Sequence, residues 1–142
     1  MSSYSQKVIE HFQNPHNYGH MDNPDGTGQV GNVVCGDVMK LYIKVKDDII
    51  KDVKFETFGC AAAIATSSVV TDLAKGKKIV EVLKLTNNKV LKELGGLPPI
   101  KVHCSLLAVD ALNEAIYDYY KSIKKAIPKS LEAKHKLIQK KH

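Results

Sequence analysis

The chain contains no arginine and no tryptophan, and only three of its 142 residues are cysteine. Without arginine there is no planar fork to read guanine or clamp phosphate bidentately. Aromatic residues make up 6% and are not interleaved with the lysines, which weakens the case for single-stranded nucleic-acid binding. No apolar run approaches the ~18 residues of a membrane span. The opening residues Ser3 to Phe12 have no apolar signal core and include Glu10, unlike a secretory signal, and they lack the arginine-rich character of a transit peptide. An odd cysteine count argues against a fully paired disulfide framework, and free thiols imply a reducing, cytoplasmic setting. Neither nucleic acid nor membrane is an expected partner.

What remains is ordinary for one globular domain: 44% hydrophobic and 25% charged residues, in a chain long enough for a real core. The net charge of +6 is uneven. Residues 121–142 hold eight lysines against one glutamate, whereas the first 120 residues hold 13 lysines against 14 acids. The basic character therefore reads as a Lys-rich solvated tail over 127–142, carrying a short amphipathic helix, behind a domain spanning 1–126.

Tyr4, Val8, Ile9 and Phe12 fall at helical spacing, and Asn14-Pro15 ends that pattern. Residues 14–32 are rich in Pro and Gly and read as a long loop entering a first strand near 29–34. The period then becomes two: Met39, Leu41, Ile43 and Val45 alternate with lysines, Asp47-Asp48 makes a turn, and Val53, Phe55 and Thr57 return. After Gly59 the pattern turns helical, with a stripe at Ala61, Ala65, Val69 and Leu73 and a capping Gly76. Two short helices follow around 80–83 and 90–94. Gly95 to Pro99 is extended, and a long helix carries Leu107 through Ile123 until Pro128. The order predicts an α+β fold, a small three-stranded antiparallel sheet with helices packed on one face.

The cysteines stand at element ends: Cys35-Gly36-Asp37, Phe58-Gly59-Cys60-Ala61 and His103-Cys104-Ser105. They are separated by 25 and 44 residues, so no tight knuckle presents a pair, and the fold must bring the thiols together. Cys60 and Cys104 each open a helix, where unpaired N–H groups and partial positive charge favour thiolate. Three thiolates with Asp37 or His103 as a harder fourth ligand suit zinc or a labile iron–sulfur cluster. For any single cysteine the plain alternative is a small buried hydrophobe. Asp37 could equally cap a turn, and His103 could be an ordinary first-turn residue. The other histidines, His11, His16, His20, His135 and His142, read as solvent-exposed loop or tail residues.

The strings Cys35-Gly36-Asp37-Val38-Met39-Lys40-Leu41, Phe58-Gly59-Cys60-Ala61-Ala62-Ala63-Ile64-Ala65 and Leu97-Pro98-Pro99-Ile100-Lys101-Val102-His103-Cys104-Ser105 together resemble the IscU/NifU-type iron–sulfur cluster assembly scaffolds. The resemblance runs from about residue 4 to 124. It implies a non-enzymatic scaffold, in which Cys35, Cys60 and Cys104 accept sulfur from a cysteine desulfurase and bind iron. A transient [2Fe–2S] cluster would form there and pass to apo acceptor proteins. It further implies that Asp37 promotes cluster release, that His103 is an alternative fourth ligand, and that zinc occupies the same site in isolated protein. Leu97-Pro98-Pro99-Ile100-Lys101 resembles the recognition segment for a specialised Hsp70-type chaperone with its J-type partner. A ferredoxin and a frataxin-like protein are further implied partners, and the scaffold would be a monomer or dimer. Departures are Val33 where many relatives have Pro, and Ala62-Ala63 where a serine is frequent. With no cysteine after Cys104, the likeness is to a stand-alone scaffold domain.

Two other readings compete. A zinc protein, structural or regulatory, would use the same Cys, Asp and His ligands. A cysteine enzyme would pair Cys104 with His103, but adjacent helical residues do not face each other.

Overall fold

The computed structural model describes residues 5–32, 37–58, 61–97 and 102–141, with the backbone alone at Asn32, Asp37, Val102–Cys104, Lys140 and Lys141. Helix α1 (Gln6–Gln13) precedes a meander of β1 (Gly26–Asn32), β2 (Asp37–Lys46) and β3 (Ile49–Thr57). Helices α2 (Ala61–Ala74), α3 (Ile79–Val82), α4 (Asn87–Leu94), α5 (Val102–Ser122) and α6 (Lys129–Lys141) follow. The sheet is antiparallel throughout in the order β1-β2-β3, and its helices cover one face, as the alternation predicts.

The hairpin follows from local chemistry. Asp47 and Asp48 both adopt left-handed backbone (φ 55° and 61°), the two-residue turn whose twist matches the strands it joins. Met39, Leu41 and Ile43 then bury completely beside Val53 and Phe55. Lys40, Lys44 and Lys54 stay on the outer face. Tyr42 also points outward but is only 2% exposed, because the His20 ring meets it edge-on and its hydroxyl donates to Glu56. Burial, then that hydrogen bond, pushes the Tyr42 pKa up to about 12, and the same bond holds Glu56 below its ordinary value.

The first strand begins earlier than its glycines suggest. Gly26 and Gly28 lie inside β1 because α5 crosses too closely for any side chain. A Cβ at Gly26 would sit 2.2 Å from the Ala115 carbonyl oxygen, and one at Gly28 would sit 2.1 Å from that of Ala111. In return α5 packs Ala108, Ala111, Leu112, Ala115 and Ile116 against the sheet.

Helix α2 is not the single-stripe helix its sequence suggests. It lies among α1, α4, α5 and β3, and Asp72 is its one exposed residue. Thr66, Ser67 and Thr71 are buried there because their hydroxyls donate back to the carbonyls of Ala63 and Ser68. Helix α1 docks through Val8, whereas Phe12 faces solvent.

Helix α5 ends at Ser122, short of Pro128. Lys124 takes left-handed backbone, and the Lys125 amide closes on the Tyr120 carbonyl at 2.9 Å. The lysine-rich end is not a solvated tail: α6 buries Leu131 and Ile138 in the core. It is further held by Lys134 Nζ on the Leu83 carbonyl (2.7 Å) and by His135 stacked 3.7 Å from Tyr117.

Candidate functional site

The expected ligands fall on three chain segments, and the described residues that frame them meet at one end of the sheet. Asn32 closes β1 opposite Asp37, which opens β2. Thr57 closes β3 opposite Met39. Helix α2 opens at Ala61, four residues past that strand end. The third segment arrives through α5. Gly28 faces Ala111 and Ala115, and Gly26 faces Ala115 and Tyr119, so α5 runs antiparallel to β1. Four strand residues from Gly28 to Asn32 advance about 13 Å, equal to about nine helical residues. Asn32 is thereby level with the first turn of α5, the turn that carries His103 and Cys104.

Asp37 is therefore a strand-opening residue, and His103 and Cys104 are first-turn helical residues, each described by its backbone. Cys35, Cys60, Pro98, Pro99, Ile100 and Lys101 lie outside the described residues. Leu97 is half-buried and packs on the core.

Several side chains that spacing alone did not single out stiffen this end. The Thr57 hydroxyl donates to the Val38 carbonyl at 2.8 Å, and the Phe58 amide reaches the same oxygen at 3.3 Å. These bonds tie the end of β3 to β2 just before the Gly59-Cys60 segment. Ser67 on α2 sits 2.9 Å from the Met39 sulfur. Ser105, directly after Cys104, is buried and its hydroxyl donates to Asn87 Oδ1, pinning the start of α5 to α4. Phe58, in contrast, is 85% exposed. For Thr57 and Ser105 the sequence signal is a hydroxyl residue within a turn of an element end, whereas Ser67, midway along α2, carries no such signal.

The histidines outside the motif are not free loop residues. His11 Nδ1 lies 2.7 Å from Ser68 Oγ, His16 Nδ1 lies 2.5 Å from Asp72, and His135 Nδ1 lies 2.6 Å from the buried Glu114. Burial, then the neighbouring His16, holds the His11 pKa below its ordinary value. His142 lies outside the described residues.

Among the described residues, no helix is long and apolar enough to cross a membrane. The NifU-like N terminal domain family model matches residues 3–126. The chain is 62% identical over 118 residues to the iron-sulfur cluster assembly scaffold protein IscU 1 of Archaeoglobus fulgidus, covering 83% of this chain and 77% of that protein. It is 53% identical over 121 residues to the scaffold protein IscU of Escherichia coli (strain K12), covering 82% and 94%. The crystal structure of a NifU-like protein (N-terminal) from Brucella abortus superposes with a TM-score of 0.65 at 23% identity, covering 82% of this chain and 94% of that one, a likeness of fold. With the matched residues taking in all three cysteine segments and the sheet end that frames them, this chain belongs to the NifU-like N-terminal domain family, as an IscU/NifU-type scaffold.

Proposed function

We propose that this chain is a scaffold on which an iron–sulfur cluster is assembled and from which it is handed on. The observation that supports this most directly is the convergence of Asn32, Asp37, Thr57, Ala61 and the first turn of α5 at one sheet end. Segments far apart in sequence would thus offer Cys35, Cys60 and Cys104 to one cargo. Iron and sulfide are substrates here, with Asp37 and His103 the harder oxygen and nitrogen donors at the same end.

Sulfur arrives by exchange with a cysteine desulfurase persulfide. The Cys104 thiolate attacks the terminal sulfur, a new S–S bond forms on Cys104, and the donor cysteine leaves as thiolate. Each sulfur so delivered needs two electrons to become sulfide, which a ferredoxin-type partner supplies. The likeness of Leu97 to Lys101 to a chaperone segment supports Hsp70-type and J-type partners for release. A [2Fe–2S] cargo on three thiolates and one harder ligand is weakly held, as transfer requires.

The test is anaerobic reconstitution with ferrous iron, cysteine and a desulfurase, followed by absorption and Mössbauer spectra of wild type and Asp37→Ala. Wild type is expected to form a [2Fe–2S] spectrum that decays on adding an apo-ferredoxin, and Asp37→Ala to retain it. Tightly bound zinc with no cluster in either protein would overturn the reading. Cys104→Ala is expected to lose sulfur acceptance; unchanged acceptance would reassign the first acceptor.

A further inference from the structure

Well away from the cysteine segments, α1, the loop after it and α2 bring together His11, His16 and Asp72. One ring nitrogen from each histidine and one carboxylate oxygen lie within 4.8 Å of one another. All three are braced from behind, His11 and Asp72 through a side-chain atom and His16 through its backbone. Ser68 Oγ lies 2.7 Å from His11 Nδ1 and accepts the His16 backbone N–H at 2.8 Å. Asn17, in left-handed backbone, donates its side-chain amide to Asp72 Oδ1 (3.1 Å) and to Thr71 Oγ1 (3.0 Å). Ser68 and Thr71 are buried, so the supports are set in the core while His16 and Asp72 face solvent. Such outer partners orient imidazole and carboxylate ligands in metal sites.

A plain His16–Asp72 ion pair leaves the second ring unexplained. The two imidazoles approach to 4.8 Å between centroids at a 57° tilt, and only one of them contacts the carboxylate. Protonated together they would repel, whereas a shared cation would satisfy both rings and the acid at once. We propose that His11, His16 and Asp72 form a second metal site, a two-histidine, one-carboxylate set for a borderline divalent transition-metal ion such as Zn²⁺ or Fe²⁺. Two imidazoles select against calcium and magnesium, which require mostly oxygen ligands.

The geometry needs modest closure. Metal–ligand bonds of about 2.0–2.2 Å put tetrahedral neighbours roughly 3.4 Å apart. The ion therefore opens the 2.5 Å His16–Asp72 contact by about 1 Å as it replaces the shared proton, and draws the 4.8 Å separation in by a little more. A surface pocket of about 350 Å³, lined by Glu10, His11, Gln13, Asn14 and His16, leaves the remaining coordination open to water or to a partner's ligand. Asp72 lies eleven residues beyond Ala61, about 16 Å along α2. The site shares no ligand with the cysteine-bearing end and is independent of the assembly reading.

The test is a Zn²⁺ titration of the intact chain, read by histidine ring ¹⁵N NMR, which assigns the ligands whatever the thiols bind. The His11 and His16 ring nitrogens are expected to shift together and saturate together. His16→Arg keeps a cation beside Asp72 but has no lone pair for a metal. It is expected to keep the circular dichroism spectrum and melting temperature while weakening the His11 response by at least about tenfold. Asp72→Asn is expected to act in the same direction. The proposal is overturned if the two rings do not respond to saturating zinc, or if His16→Arg leaves the His11 response unchanged.

Discussion

The close approach of α5 to β1 offers a sharp test of the fold, through Gly28→Ala. The new methyl carbon would lie 2.1 Å from the Ala111 carbonyl oxygen and 2.6 Å from the Ala115 nitrogen, whereas ordinary contact begins at 3.4 Å. Both obstacles are helix backbone, so no rotamer change relieves them, and α5 must retreat by more than 1 Å from β1. Overpacking of this kind costs about 1–3 kcal/mol, and rigid backbone on both sides places the cost near the top of that range. The opposing gain from restricting the unfolded chain is about 0.4–1 kcal/mol. A net loss of about 2 kcal/mol lowers the melting temperature of a chain this size by roughly 5–10 °C. Gly76→Ala is the control: its φ of +81° makes a side chain unfavourable, but nothing lies within 4 Å. Its expected cost is about 1 kcal/mol, conformational alone. Thermal melts followed by circular dichroism, with chelator present to remove metal linkage, distinguish the two. If Gly28→Ala melts within about 2 °C of wild type, the packing argument is wrong.

Leu131→Ala is expected to cost about 2–3 kcal/mol in urea unfolding, because Leu131 is 1% exposed and anchors α6, while Leu137→Ala at 57% exposure is expected to change stability by less than about 0.5 kcal/mol. Equal effects would show that α6 does not dock. For Tyr42→Phe the prediction is a change in pH dependence. The folded Tyr42 pKa of about 12 lies above its unfolded value, so its contribution is complete below about pH 10 and lost as pH rises toward 12. The lowered Glu56 pKa contributes stability above about pH 4.3, lost as pH falls through the folded value. Urea midpoints across pH should therefore show both slopes shrinking in Tyr42→Phe, and identical profiles would contradict the Tyr42–Glu56 bond as their source. Removing metal with a strong chelator is expected to leave far-ultraviolet circular dichroism unchanged, because the apolar core formed by the described residues already spans all three strands and the helices. Unfolding on chelation would instead mark a structural zinc protein.

The hairpin and the long helix were legible because each carries its own period, two in Met39 to Val45 and three-to-four in Leu107 to Tyr120. The Asp47-Asp48 turn is equally local chemistry. Gly26 and Gly28 misled because a glycine freeing a loop and a glycine admitting a helix look alike until the partner, Ala111 to Ala115, is known. Helix α2 misled for a related reason: the hydroxyls of Thr66, Ser67 and Thr71 satisfy themselves on their own helix, so polar residues on it can still be buried. Leu131 and Ile138 in α6 are outnumbered by lysines, and two anchors seven residues apart carry little periodic signal. The candidate ligands Cys35, Cys60 and Cys104 were named from the sequence alone, by their place beside turn signals and expected helix starts. Their framing depended on the β1–α5 register, and the His11, His16 and Asp72 group depended on contacts across more than fifty residues.

The order in which this chain can fold follows from where α5 lies. The three strands pair with near neighbours, so the meander can form from local contacts as soon as about residue 57 is available. Helix α5 reaches the first strand from across the chain, and the Thr27 amide bonded to Asp118 closes a separation of 91 residues. Loop closure on that scale comes late and is slow. Until it happens a nascent chain has its three strands paired but an unfinished end, because the first turn of α5, which carries Cys104, is not yet docked. If Cys35, Cys60 and Cys104 hold the proposed cargo, loading waits for α5 to dock, and a chain still being synthesised would present iron with an incomplete set of thiols.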